Sequence, residues 1–171
     1  TVLLSSCGYL SHYDGMYERE LDYKKKTCEV ISISNRDDKK SITVPRTMYG
    51  YKVVGIGGHA FSGCNNLKKV KLHDGITYIG GSAFLGCEKL ENINIPNSVT
   101  SIGNHAFERC RALKRIDLPD SVTSLGANAF EKCLYLERVT LSNSLTPFLG
   151  VQLYTALGAD NFAFYFTNIF T

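Results

Sequence analysis

The sequence predicts an α/β solenoid: a curved right-handed coil with a parallel β-sheet on one face, short helical turns on the other and a β-rich N-terminal cap. Three columns of residues predict it. Phe61, Phe84, Phe107 and Phe130 recur every 23 residues, and Cys64, Cys87, Cys110 and Cys133 keep the same period. So do Leu67, Leu90, Leu113 and Leu136. A fixed period of this size marks small units that stack because none can bury its apolar face alone.

Residues 1–54 lack the period and read as the cap. Asp14-Gly15, between Tyr9–Tyr13 and Met16–Leu21, is a hairpin turn signal. Thr27 to Ser34 alternates as a strand, with Val30, Ser32 and Ser34 opposite Ile31 and Ile33. Lys24-Lys25-Lys26 reads as a solvated hairpin turn and Asn35 to Lys40 as a charged turn. Ile42-Thr43-Val44-Pro45 copies Ile93-Asn94-Ile95-Pro96, so the coil is expected to begin there. Five extra residues around Tyr49-Gly50 interrupt it before Ile56.

Residues 55–146 hold four regular units. Each follows the pattern Ile-Gly-x-x-Ala-Phe-x-x-Cys-x-x-Leu-x-x-Ile-x-Leu-x-x-x-Val, as at Ile79, Gly80, Ala83, Phe84, Cys87, Leu90, Ile93, Ile95 and Val99. The apolar positions are filled by apolar residues in every copy. In Leu67-Lys68-Lys69-Val70-Lys71-Leu72 the alternation is that of a strand, with Val70 and Leu72 inward and Lys69 and Lys71 outward. The Ala-Phe pair and the following Cys belong on the opposite side, in a short helical turn. Gly57, Gly80, Gly103 and Gly126 precede it, where glycine permits a tight or left-handed turn. Pro96 and Pro119 follow their strands and stop ladder pairing.

Residues 147–171 read as a degenerate unit and an aromatic cap. With one inserted residue near Pro147, Tyr154 takes the Phe position, and Leu153 and Leu157 take the Ala and Cys positions. Phe162, Phe164, Tyr165, Phe166, Ile169 and Phe170 are too apolar to stay exposed. Two alternatives to a cap stay open, a partner-binding tail and a truncated longer array.

Composition narrows the function classes. A chain of 171 residues is one domain's worth of material, and 44% hydrophobic with 20% charged residues is ordinary for a globular protein. A net charge of +3 is too mild to point to nucleic acid. No apolar run reaches the roughly 18 residues of a membrane span. There is no Gly-rich phosphate loop, nucleophile elbow or zinc motif, so no catalytic residue, metal ligand or cofactor is assigned. His59 and His105 share one turn position two repeats apart, too far to share a metal. His12 and His73 have no evident catalytic partner.

The repeat cysteines form a column of small buried hydrophobes, and parallel side chains at strand spacing do not suit a disulfide. Cys7 and Cys28 lie outside the repeat, and a disulfide between them stays open. Leu4-Ser5-Ser6-Cys7 fits a bacterial lipoprotein cleavage pattern, which makes Cys7 a candidate lipidation site and residues 1–6 a signal remnant. The competing reading is the stub of an ordinary strand.

The candidate ligand-contact face is the outward side of the strands: Lys69, Asn92, Arg115 and Arg138 in one column, Lys71, Asn94, Asp117 and Thr140 in the next. Adjacent arginines suit carboxylates, so an acidic protein or glycan is the expected partner. The alternative is a charged face that only keeps the sheet soluble.

The string from Leu113 to Phe130, Leu-x-x-Ile-x-Leu-Pro-x-Ser-Val-Thr-Ser-Leu-Gly-x-x-Ala-Phe, resembles the BspA-type leucine-rich repeats over about Gly55 to Thr146. The resemblance implies a leucine-rich-repeat fold. It also implies a surface protein of an anaerobic gut or oral bacterium, less often of a protist, with a role in adhesion to host matrix proteins and other cells. A non-enzymatic extracellular binding module is therefore expected, with a structural spacer as the competing class. Membrane attachment would come only through a lipid on Cys7.

Overall fold

A computed structural model of the chain describes residues 17–22, 24–33, 38–141 and 155–156. Its strands are β1 (Tyr17–Asp22), β2 (Thr27–Ile33), β3 (Ser41–Thr43), β4 (Thr47–Met48), β5 (Tyr51–Ile56), β6 (Lys69–Lys71), β7 (Tyr78–Ile79), β8 (Asn92–Ile93), β9 (Ser101–Ile102), β10 (Arg115–Leu118), β11 (Ser124–Leu125) and β12 (Arg138–Leu141). They wind into a parallel-strand solenoid of about five turns.

Two ladders run along the coil. One carries the expected strand face, in the order β3-β6-β8 and then β10-β12. Its register sets Lys69 beside Asn92, and Arg115 beside Arg138. The other follows the path β1-β2-β5-β7-β9-β11 and was not expected. Its rungs are only two residues long in each regular repeat, too short to show a period of two. Thr77, Thr100 and Thr123 reinforce it, each donating its hydroxyl to a carbonyl of the preceding turn.

The expected helical turns are absent: among the described residues only Thr155 and Ala156 are α-helical, and Asp38 alone is in a 3-10 conformation. The Ala-Phe-Cys segment is instead a run of reverse turns with its hydrogen bonds divided. Ala60, Ser62 and Cys64 donate their N–H groups three residues back, to Gly57, His59 and Phe61. His59, Phe61 and Gly63 donate theirs to Gly81, Ala83 and Leu85 of the next turn. An α-helix would keep every interior donor to itself. Here half of them tie one turn of the solenoid to the next.

Left-handed residues enforce that alternation. His59, Ser82, His105 and Asn128 have φ of 58°, 55°, 57° and 57°, and Arg109 and Lys132 have φ of 60° and 59°. Gly63 and Gly86 fill the latter column in the first two repeats, at 74° and 72°. The column of Gly57, Gly80, Gly103 and Gly126 has no left-handed φ, contrary to expectation. Close approach explains it: a Cβ on Gly103 would lie 2.5 Å from the Gly81 nitrogen, and on Gly126 2.2 Å from the Asn104 nitrogen.

One core runs through all turns. Phe61, Phe84, Phe107 and Phe130 are fully buried, with ring centroids 5.0, 5.2 and 5.5 Å apart and planes within 8° of parallel. The repeat cysteines are buried thiols. They do more than fill space: Cys87, Cys110 and Cys133 donate Sγ–H to the carbonyls of Phe61, Phe84 and Phe107 at 3.1, 3.2 and 3.1 Å. Each of those carbonyls also accepts the N–H of the cysteine in its own turn.

The N-terminal segment does not form a separate cap. β2 pairs in parallel with β5, and its Cys28, Val30 and Ile33 join the common core. Only β1 turns back antiparallel. Val30 and Ile33 face inward together, not oppositely, because the β1–β2 register shifts around Ile31 as a β-bulge. The turn at Lys24-Lys25-Lys26 is exposed, and Asp22 Oδ1 accepts the N–H groups of Lys24 and Lys25. These bonds, with Lys25 first, hold the Asp22 carboxyl below its ordinary range.

Ile42 lies within the coil, since β3 pairs in parallel with β6 and both Ile42 and Val44 are buried, but β2 enters the coil ahead of it as the rung before β5. The five extra residues are the β4–β5 hairpin. Tyr49 and Gly50 form its turn with φ of 50° and 81°, the left-handed pair a two-residue hairpin favours. At the other end, Phe130 donates its N–H to Ala156, as Phe107 does to Ala129. Ala156, not Leu153, is therefore in the Ala position, and the insertion is longer than one residue. Tyr154, Leu157, the Asp14-Gly15 turn, Asn35, Cys7 and the aromatic run from Asn161 lie outside the described residues.

Candidate functional site

The strand face presents side chains because alternate strand residues must point away from the core. Lys69, Lys71, Asn92, Asn94, Arg115, Asp117, Arg138 and Thr140 are all exposed. They are not equivalent. Asn94 is occupied: its Oδ1 accepts the Leu72 N–H and its Nδ2 donates to the Leu72 carbonyl, both at 2.9 Å. It clamps two turns together where the strand ladder stops after Ile93.

That interruption between β8 and β10 shapes the face. Beside it lies an open hollow of about 440 Å³ lined by Glu91, Asn92, Ala112, Lys114, Arg115 and Tyr135. A second hollow of about 220 Å³ adjoins it, lined by Lys114, Arg115, Glu137 and Arg138. Arg115 and Arg138 are direct register partners. Among the described residues neither arginine is ion-paired with Asp117 or Glu137. Glu91 is instead paired with Lys68 at 3.1 Å. The hollows therefore bring together cationic groups with no anion paired to them.

Sequence reasoning missed Lys114 and Tyr135. Tyr135 is 65% exposed and Leu134 59%, far more than the aromatic and aliphatic residues of the repeat frame. The signal was available: the position of Tyr135 is Asn66, Lys89 and Ala112 in the other units, so it is no core position.

The turn side holds a second group that spacing alone did not suggest. His105 Nδ1 lies 2.8 Å from Glu108 Oε2, and Glu131 stands one turn further on, with these ligand-type atoms within 4.8 Å of one another. Each carboxylate already has a cation, Glu108 with Arg109 at 3.8 Å and Glu131 with Lys132 at 3.0 Å. We read the group as a surface charge network. Burial first, and then the nearby Arg46, lower the pKa of His73 below its ordinary value. Its Nδ1 accepts the Gly75 N–H, and its Nε2 is buried. Among the described residues no helix is long and apolar enough to cross a membrane.

Comparison with known proteins agrees with this geometry. The profile of the BspA type leucine rich repeat region matches residues 34–154 in six copies. It reaches past the four regular units at both ends, as β3 and Ala156 do in space. No curated protein matches the chain. Among solved structures, a leucine rich repeat protein of T. pallidum superposes with a TM-score of 0.65 at 26% identity, over 77% of this chain and 72% of its own. A leucine-rich repeat protein from Bacteroides ovatus gives 0.60 at 32% identity, over 74% and 40%. A leucine rich cell surface protein from Faecalibacterium prausnitzii gives 0.63 at 28% identity, over 83% and 45%. This chain thus spans less than half the length of the last two. With the profile covering well over half of its residues and the solenoid geometry in accord, the chain belongs to the BspA type leucine rich repeat family.

Proposed function

We propose that the protein is a non-enzymatic binding module at the bacterial cell surface, recognising a protein or glycan through its strand face in an adhesion-type role. The observation that carries this reading is the pair of register-matched arginines, Arg115 and Arg138, exposed beside two hollows with no carboxylate paired to them. An unneutralised like-charge pair is an unfavourable arrangement that an anionic partner relieves. Extracellular placement rests on the family and on a relative described as a cell surface protein. A lipid on Cys7 would supply attachment to the membrane.

Capture of host matrix proteins and surface glycans on the immobilised chain tests the reading, with the double variant Arg115→Glu/Arg138→Glu as the control. Capture that the double variant abolishes supports recognition by this face. Capture unchanged by the charge reversal would remove it.

A second reading has its own support. The unbroken phenylalanine stack and turn-to-turn hydrogen bonds make a stiff rod, and longer relatives contain a comparable segment as a part. A structural spacer would need those features and no ligand. It predicts no capture at all by wild-type protein.

A further inference from the structure

We propose that the two adjoining hollows hold an acidic saccharide, a run of sugar units carrying carboxylates; this deepens the recognition role above and rests on it. The walls argue for that chemistry. Lys114, Arg115 and Arg138 supply three cations, and Lys114 and Arg115 are common to both hollows. Of the two acidic lining residues, Glu91 is already paired with Lys68, which leaves Glu137 against three positive groups. A guanidinium binds a carboxylate through two parallel hydrogen bonds, and two guanidiniums one rung apart suit carboxylates that repeat along a chain.

Tyr135 separates a saccharide from an acidic peptide. The residue is 65% exposed at the edge of the larger hollow, where the C–H face of a sugar ring can lie flat upon its ring. Ala112, one repeat earlier in the same position, leaves the space beside that ring. Asn92 offers both a donor and an acceptor for hydroxyl groups. The larger hollow, at about 440 Å³, falls within the range of small-molecule sites. An acidic peptide would use the cations and leave the ring and the amide without a role. A purely apolar ligand would leave the cations stranded.

The test is calorimetric titration of the full chain with short galacturonate oligosaccharides. A neutral galactose oligosaccharide and poly-glutamate serve as the comparison ligands. Variants Arg115→Ala and Tyr135→Ala are measured beside Lys52→Ala, an exposed lysine of β5 in the other ladder, outside both hollows and outside the strand face. The inference expects galacturonate binding that the neutral sugar does not reproduce. Arg115→Ala and Tyr135→Ala should each weaken it about tenfold or more, with Lys52→Ala unchanged. Circular dichroism confirms that the variants are folded. Galacturonate binding indifferent to Tyr135→Ala and matched by poly-glutamate would overturn the saccharide in favour of an acidic peptide. No galacturonate binding at all would also overturn it. If matrix-protein capture still depended on Arg115 and Arg138 in that case, the broader recognition role would survive without its saccharide. Loss of both responses would remove the two together.

Discussion

Single residues in this chain are constrained by what lies one turn away, 23 positions along the sequence. Phe107 stacks between Phe84 and Phe130 and has no exposed surface. Phe107→Ala should cost about 3–5 kcal/mol, through lost burial and the cavity left behind. Lys69→Ala should cost almost nothing, because its side chain faces water. Urea unfolding of both variants checks this, and equal losses would reverse the inward and outward assignments. Glycines divide by mechanism. Gly86 needs its left-handed φ and has open space around it, so Gly86→Ala should cost about 1–2 kcal/mol through backbone strain alone. Arg109 occupies the same column with φ of 60°, so Arg109→Gly should cause no loss and a modest gain. Gly103→Ala meets the backbone of the neighbouring turn and should cost about 1–3 kcal/mol from overpacking. A stability ranking that placed Arg109→Gly below Gly103→Ala would contradict both explanations.

At the scale of the element, the turn segment depends on thiols that stay protonated. Burial pushes the Cys133 thiol up to about 12 and holds Cys110 well above its ordinary value of 9.0. Cys87 is raised first by its hydrogen bond with Cys64 and then by burial. In each case the folded pKa exceeds the unfolded one. The unfolded chain therefore loses its thiol protons first, and stability is full below about pH 9 and falls as pH rises toward 12. Each such thiol should steepen that fall by about 1.4 kcal/mol per pH unit. Denaturant unfolding across this window should show a shallower slope for Cys133→Ala than for wild type, and parallel slopes would argue that Cys133 ionises in the fold. The thiol column was legible in the sequence because spacing alone placed it in the core. Its hydrogen bonds to the Phe carbonyls were not, since a thiol and an alkyl group leave the same mark in a hydrophobic pattern. The reverse turns were hidden for a related reason. Ala-Phe-x-x-Cys spacing suits a helix, and His59, Ser82, His105 and Asn128 do not announce a left-handed φ as glycine does. Lys114 and Tyr135 were visible as departures from the repeat, but only the break between β8 and β10 shows what they surround.

For the molecule as a whole, stability is a sum of turns and of the interfaces between them, so the period itself is the quantity under constraint. Every inter-turn bond named above, from Phe61 N–H on Ala83 to Lys68 on Glu91, joins residues 22 to 26 apart. Removing residues 81–103 deletes one full period and leaves Gly80 in front of Asn104, in the place Gly103 held. The shortened chain should fold with the same far-ultraviolet spectrum per residue and unfold at a lower temperature, since one interface is lost. Removing residues 82–103 deletes one residue fewer than a period. That change slides Phe107, Cys110 and Leu113 by one position against the turn before them, and it places their side chains against its backbone and solvent-facing atoms. The second chain should therefore lose cooperative melting although it keeps more of the sequence. Thermal unfolding of the two deletions, followed by circular dichroism, separates the cases. A cooperative transition at equal temperature in both would mean that the turns do not share one core in register.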